Sequence, residues 1–182
     1  NEVGVYRRLR VAFFSTGDEL RSIGAPLAAG EIYDSNRYTI FGMLQRLGCE
    51  TLDMGVVPDV PADLEAAFAT AATSADVVIT SGGVSVGEAD YVKTLLQRMG
   101  EVLFWKIAMK PGRPLAYGRL GAAHFFGLPG NPVSVMVTFY QFVRDALLVL
   151  QGRRHVLPVP LFKARLASPI RKAAGRTEFQ RG

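Results

Sequence analysis

Five carboxylates stand directly after apolar runs that read as strands. Asp18 and Glu19 follow Arg10-Val11-Ala12-Phe13-Phe14-Ser15, Asp59 follows the run from Glu50 to Val57, and Glu88 and Asp90 follow Asp76-Val77-Val78-Ile79-Thr80-Ser81. In open parallel sheets ligands gather outside the carboxyl ends of the strands, so these acids are expected at one edge. Lacking Cys or His partners, they suit a hard cation, Mg²⁺ before Zn²⁺. The plainer reading, that loop acids cap helices, holds for any one of them taken alone.

Anion-binding devices accompany the acids. Ser81-Gly82-Gly83-Val84-Ser85-Val86-Gly87 is one glycine loop, and Gly127-Leu128-Pro129-Gly130-Asn131-Pro132-Val133-Ser134 is a second. Bare backbone N–H groups ahead of a helix favour negative charge. In the second loop Pro132 fits a first helical turn, Asn131 caps and Ser134 adds a hydroxyl. Neither is a Walker loop, and a tight strand-to-helix turn is the plain alternative for each. A third element, Trp105 to Pro114, is stiffened by Pro111 and Pro114, so Lys110 and Arg113 are presented as a rigid cationic pair for an oxyanion, whereas Lys106 reads as solvated. Acids, glycine loops and cations together describe a site for a phosphorylated ligand bridged by Mg²⁺, in which the acids hold the metal and the metal neutralises phosphate. No Ser/His/Asp triad is expected. His124 lies inside a strand, His155 lies in a basic tail, and Cys49 after Gly48 reads as a buried small residue. The chemistry then rests on positioning and electrostatics.

The elements that must position these groups alternate. Strands are expected over 10–15, 50–57 and 76–81, and helices over 36–47, 61–73 and 89–99, with Gly48 as a stop and Pro61 in a first turn. Strands over 101–107, 115–119 and 124–128 follow, then a long apolar helix over 132–150. This pattern predicts an α/β fold, a three-layer sandwich with a mostly parallel sheet between helices. Residues 157–182 carry Pro158, Pro160 and Pro169 with alternation in 161–166, and read as the start of a separate β-rich unit.

Composition narrows the class. The chain has 182 residues, 49% hydrophobic and 20% charged, as expected of a soluble domain with a core. No apolar run is expected to reach the roughly 18–20 residues of a membrane span. The first residue is Asn1 and no signal-peptide layout follows, which suggests a piece of a longer chain. The net charge is +5, but Lys and Arg concentrate after residue 150, where Glu178 is the lone acid, and residues 1–150 are slightly acidic. That distribution does not fit a polynucleotide-binding face.

Five ordered motifs, Phe14 to Leu20, Ile32 to Asn36, Ser81 to Tyr91, Lys110 to Pro114 and Gly127 to Ser134, resemble in order and spacing the molybdopterin molybdenumtransferase family, the MoeA family, which includes the E domain of gephyrin. The likeness extends over about residues 5–152, and residues 175–182 resemble the opening of that family's C-terminal β-barrel. It implies the molybdopterin-binding α/β fold over 10–152, a linker over 1–9 and an incomplete β domain over 153–182. It implies insertion of molybdate into adenylylated molybdopterin with release of AMP, assisted by Mg²⁺, in a cytoplasmic homodimer that has further N-terminal domains, a molybdopterin adenylyltransferase as a possible partner, and no nucleic acid or membrane. By motif position Glu19, Asp59 and Asp90 match acids important for activity, with Asp59 and Asp90 toward the metal. Gly82, Gly83, Ser85 and Gly87 would hold pterin phosphate or adenylate, and Lys110, Arg113, Pro114 and Ser134 would surround the molybdate. Ser15, Thr16, Gly17, Asp18, Gly130, Asn131 and Pro132 complete the implied cofactor-binding set, and Arg176 and Arg181 are candidates to reach the oxyanion from the tail. The family often has Lys where this chain has Arg113. The other readings are a molybdopterin adenylyltransferase, which shares the fold, and a gephyrin-like scaffold. The implied missing domains suggest a chain that binds ligand more readily than it turns it over.

Overall fold

Strand β1 (Arg10–Thr16) is buried from Val11 onward, the pattern of a central strand covered on both faces. Its alternation sends Val11 and Phe13 into one core and Ala12 and Phe14 into another. The computed structural model describes residues 2–83, 89–172 and 174–180, with backbone only for 89–91. Within it, β1 lies between β4 (Glu50–Val57) and β5 (Val77–Ser81), parallel to both. Strand β9 (Ala123–Leu128) continues the parallel set beside β5. Strand β8 (Pro114–Leu120) runs antiparallel to β9, and β6 (Gly100–Lys106) closes the sheet antiparallel to β8, giving the order β4-β1-β5-β9-β8-β6.

Helices cover both faces. On one, Ile40, Met43 and Leu44 of α1 (Ser35–Arg46) pack with Val135 of α4 (Pro132–Thr138) and Leu147 of α5 (Arg144–Leu150). On the other lie α2 (Pro61–Ser74), through Leu64 and Phe68, and α3 (Ala89–Met99), through Val92, Leu95 and Leu96. The rings of Phe14 and Phe125 meet Phe68 edge-on at centroid distances of 5.2 and 5.7 Å, a geometry favoured by the ring quadrupoles. The expected α/β sandwich is therefore present.

Two local findings differ from the sequence reading. Residues 132–150 are expected as one α-helix, yet Phe139–Val143 forms a π turn between α4 and α5. Just before it, the Thr138 hydroxyl donates to the carbonyls of Ser134 and Val135, a back-bond that bends helices. The run Pro132–Leu150 is also long and apolar enough, by length and composition, to cross a membrane, contrary to the expectation that no segment is. Here Val135, Phe139, Val143 and Leu147 of that run lie fully inside the core against the sheet, so it is a core helix. The described part of the tail contributes one short strand to a two-stranded sheet. Strand β10 (Thr177–Glu178) pairs in parallel with β7 (Met109–Lys110).

Candidate functional site

Register assembles the site. Ser15 stands opposite Ser81, and Ser81 opposite Leu128, so the loops after β1, β5 and β9 leave the sheet together. Between them lies a cavity of about 180 Å³ lined by Thr16, Gly17, Glu19, Ser81, Gly82, Gly83, Gly130 and Pro132, with Asn36 at the start of α1. Its outer wall is Leu20, Ile32 and Tyr33, from the short parallel pair β2 (Leu20–Arg21) and β3 (Ile32–Tyr33). That wall is tied down by buried Arg37. Its guanidinium donates to both oxygens of Asp53 at 3.0 and 3.2 Å and to the Ser22 hydroxyl at 2.9 Å, and it stacks over the Tyr38 ring at 4.9 Å.

Gly82 is required sterically. It has φ +90°, and a Cβ there would collide with the carbonyl oxygen of Thr16, so the β1 and β5 loops approach as only glycine permits. The Thr16 hydroxyl donates to Asp59, and the Asp59 N–H donates to Asp18 Oδ1 at 3.1 Å. The acids expected after β1 and β4 are thus brought together, but only Glu19 lines the cavity. Asp18 lines the neighbouring depression with Arg21, Ser22 and Pro58. Ser85, Gly87, Glu88 and Arg181 lie outside the described residues, as does the side chain of Asp90, whose backbone opens α3. Among the described residues no group of three or more His, Cys, Asp or Glu is arranged to hold a metal.

The second glycine loop is more self-satisfied than expected. Asn131 Oδ1 accepts from the N–H groups of Val133 and Ser134 at 3.0 and 3.2 Å, which uses donors an anion would otherwise take. Gly130 and Pro132 face the cavity. The Lys110–Pro114 turn, with a cis Lys110–Pro111 bond, sits at the same edge, because Pro114 pairs with Lys106 and β8 lies beside β9. Gly112 is seated on α4, where a Cβ would come within 2.5 Å of Thr138 Cγ2 and 3.8 Å of the Ser134 carbonyl. Lys110 and Arg113 are exposed, and neither they nor Pro114 nor Ser134 line the cavity itself. Tail residues bind alongside: the Thr177 and Phe179 N–H groups donate to the carbonyls of Ala108 and Lys110 at 2.9 and 2.8 Å.

Four buried polar atoms at this edge find no hydrogen-bond partner among the described residues: Asp34 Oδ2 and Arg37 Nε, which form an ion pair at 3.5 Å, and Ser15 Oγ and Asn36 Oδ1. Such groups are uncommon in folded proteins and mark positions that trade stability for a task. Asn36, one residue into α1, does not cap the helix. Asp34 makes the cap, its carboxylate accepting from the Arg37 N–H, while Asn36 points inward four residues ahead of Ile40. A polar residue on the apolar stripe of a helix is the signal that could have found it. Elsewhere, burial raises the Cys49 thiol above its usual pKa despite a hydrogen bond from Gln151, which suits an inert core residue.

An open α/β sheet with a polar cavity across the carboxyl ends of β1, β5 and β9 defines a ligand-binding domain of the doubly wound class. Residues 12–149 match the family model described as "probable molybdopterin binding domain". The chain belongs to that family. It is 53% identical over its whole length to the molybdopterin molybdenumtransferase of Haemophilus influenzae, of which it spans 45%. It is 34% identical to gephyrin of Dictyostelium discoideum over 94% of this chain and 28% of that one. The crystal structure of a molybdopterin biosynthesis MoeA protein from Pyrococcus horikoshii superimposes with a TM-score of 0.74 at 36% identity, covering 82% of this chain and 37% of that one. A MoaB enzyme from Thermus thermophilus, 18% identical with a TM-score of 0.59, covers 80% of this chain and 98% of its own, and shares the fold. The chain thus spans less than half the length of the transferases it matches.

Proposed function

We propose that this chain is the central, molybdopterin-binding domain of a molybdopterin molybdenumtransferase, which inserts molybdate into adenylylated molybdopterin and releases AMP to give molybdenum cofactor. The observation that carries the reading is the cavity itself: Thr16, Gly82, Gly83 and Gly130 converge on it with Glu19 at its wall and Asp59 one hydrogen bond away. Gly82, Gly83, Ser85 and Gly87 receive the phosphates, and Glu19, Asp59 and Asp90 are the functional acids. Lys110, Arg113, Pro114 and Ser134 attend the tetrahedral oxyanion, whose charge suits an Arg fork and a Lys point charge.

Asp59 and Asp90 would hold Mg²⁺, since carboxylate oxygens are its preferred protein ligands, and Asp59 and Asp18 already adjoin. When bound, Mg²⁺ neutralises phosphate charge. Thr16 orients the Asp59 carboxylate through its hydroxyl, and Gly82 lets backbone approach where a side chain would block it. Residues 10–152 form this domain, 1–9 link it to what precedes, and 153–182 begin a β domain. The reading extends to a cytoplasmic homodimer that receives its substrate from an adenylyltransferase.

Calorimetric titration of adenylylated molybdopterin into the chain, with and without Mg²⁺, tests this. Mg²⁺-dependent binding, weakened at least tenfold by Asp59→Asn and by Asp90→Asn, is expected. Equal binding by both variants and the parent would remove the acids from the metal, and binding of molybdopterin and ATP in place of the adenylate would favour the adenylyltransferase reading.

A further inference from the structure

We infer that Asn36 is a positioning residue that fuses the two glycine loops into one anion site. Its side-chain amide nitrogen donates twice, to Ser81 Oγ at 2.9 Å and to the Gly130 carbonyl at 2.7 Å. The first partner ends β5 and the second belongs to the loop after β9. Ser81 Oγ in turn donates to the Pro129 carbonyl at 3.3 Å, and the Gly82 N–H donates to the Leu128 carbonyl at 3.2 Å. The loops therefore touch, and a Cβ built on Gly130 would lie 3.9 Å from Gly82 Cα. They are one surface, not two cradles.

The chemistry requires an amide here. The Gly130 carbonyl only accepts, so the group facing it must be N–H, which fixes the orientation of the side chain. An aspartate of the same shape would put a carboxylate oxygen against that carbonyl. The residue is 7% exposed, and its Oδ1 has no hydrogen-bond partner among the described residues. Asn36 bridges two loops with its nitrogen. Asp34 fixes it from behind by capping the helix two residues earlier. Because Asn36 acts through Ser81 and Gly130, its removal changes the spacing of the loops that face ligand.

This inference rests on the proposed phosphate-binding role of the loops, so the test separates the two. Amide exchange of the ligand-free chain is compared with Asn36→Asp and Asn36→Ala at residues 81–83 and 130–131. Coupled loops require faster exchange at both sites in both variants. Adenylylated molybdopterin binding is then titrated from pH 8 to pH 5. Asn36→Asp is expected to bind about 10–100-fold more weakly than the parent at pH 8, and to recover relative to the parent as its carboxyl protonates and again donates to Gly130. Asn36→Ala is expected not to recover. Unchanged exchange at either loop, or no pH-dependent recovery beyond that of Ala, overturns the assignment. Loosened loops in a parent chain that binds no adenylylated molybdopterin would sustain the coupling while sinking the functional reading.

Discussion

The two edges of the sheet resolve the same problem, polar groups at strand ends, in opposite ways. At the amino edge Asp76 accepts two guanidinium hydrogen bonds from Arg7 and a third from the Arg10 N–H. These bonds hold its carboxyl below the usual range. Nearby, His124 Nδ1 lies 3.0 Å from the Tyr117 hydroxyl and Nε2 lies 3.2 Å from the Arg119 guanidinium. A guanidinium only donates, so Nε2 accepts and the imidazole is neutral with its proton on Nδ1. Burial first, then the Arg119 charge, lowers its pKa accordingly. At the carboxyl edge, by contrast, Ser15 Oγ and Asn36 Oδ1 have no partner among the described residues and Gly82 is held at positive φ. One edge satisfies its polar groups internally, and the other carries the cavity.

Substitutions graded by size sharpen that contrast. Phe68→Ala, in the core beneath both edges, is expected to cost about 3–5 kcal/mol, read by chemical denaturation. A loss well below that range would mean that the stacked Phe14 and Phe125 collapse into the space. Gly82→Ala comes next, at about 1–3 kcal/mol from backbone strain, with further loss from its clash with Thr16. Its amino-edge counterpart Gly121→Ala has open space around it at φ +57° and is expected to cost less. Equal costs would erase the distinction between the edges. Thr16→Val is expected to leave unfolding within about 1 kcal/mol of the parent while weakening Mg²⁺-dependent ligand binding, because the Asp59 carboxylate loses its hydroxyl donor. A change in stability alone would make Thr16 structural.

The smallest effect is a titration. His124 has a folded pKa below its ordinary value of about 6.5, so the unfolded chain takes up its proton first as pH falls. The stabilisation is present above the unfolded pKa and is lost as pH drops through that value toward the folded pKa. Stability is therefore expected to decline from about pH 7 to pH 5, and His124→Gln is expected to flatten that decline. A parallel decline in the variant would assign the effect to other groups.

Much of the frame was legible because local signals agreed. Gly48 stops α1, Pro61 opens α2, Asn131 caps α4, and each apolar run of the central strands lies within the sheet. The motifs at Thr16, Gly82 and Gly130 were legible for the same reason, since each follows a strand end and loops of that kind meet at one edge. The division of labour among them was not. Composition and periodicity do not say that Glu19 faces the cavity while Asp18 faces its neighbour, because a one-residue step in a loop reverses direction without altering residue type.

The sequence by itself determined the alternating strands and helices, the edge at which chemistry gathers and the stiff cationic turn, all of which depend on contacts within a few residues. Only the tertiary structure decided that the tail would pair with Ala108 to Lys110, that the last helix would take a π turn, and that Asn36 would tie together residues 45 and 94 positions away. Those outcomes depend on which distant backbone groups remain unpaired once the sheet has formed, and no local pattern carries that information.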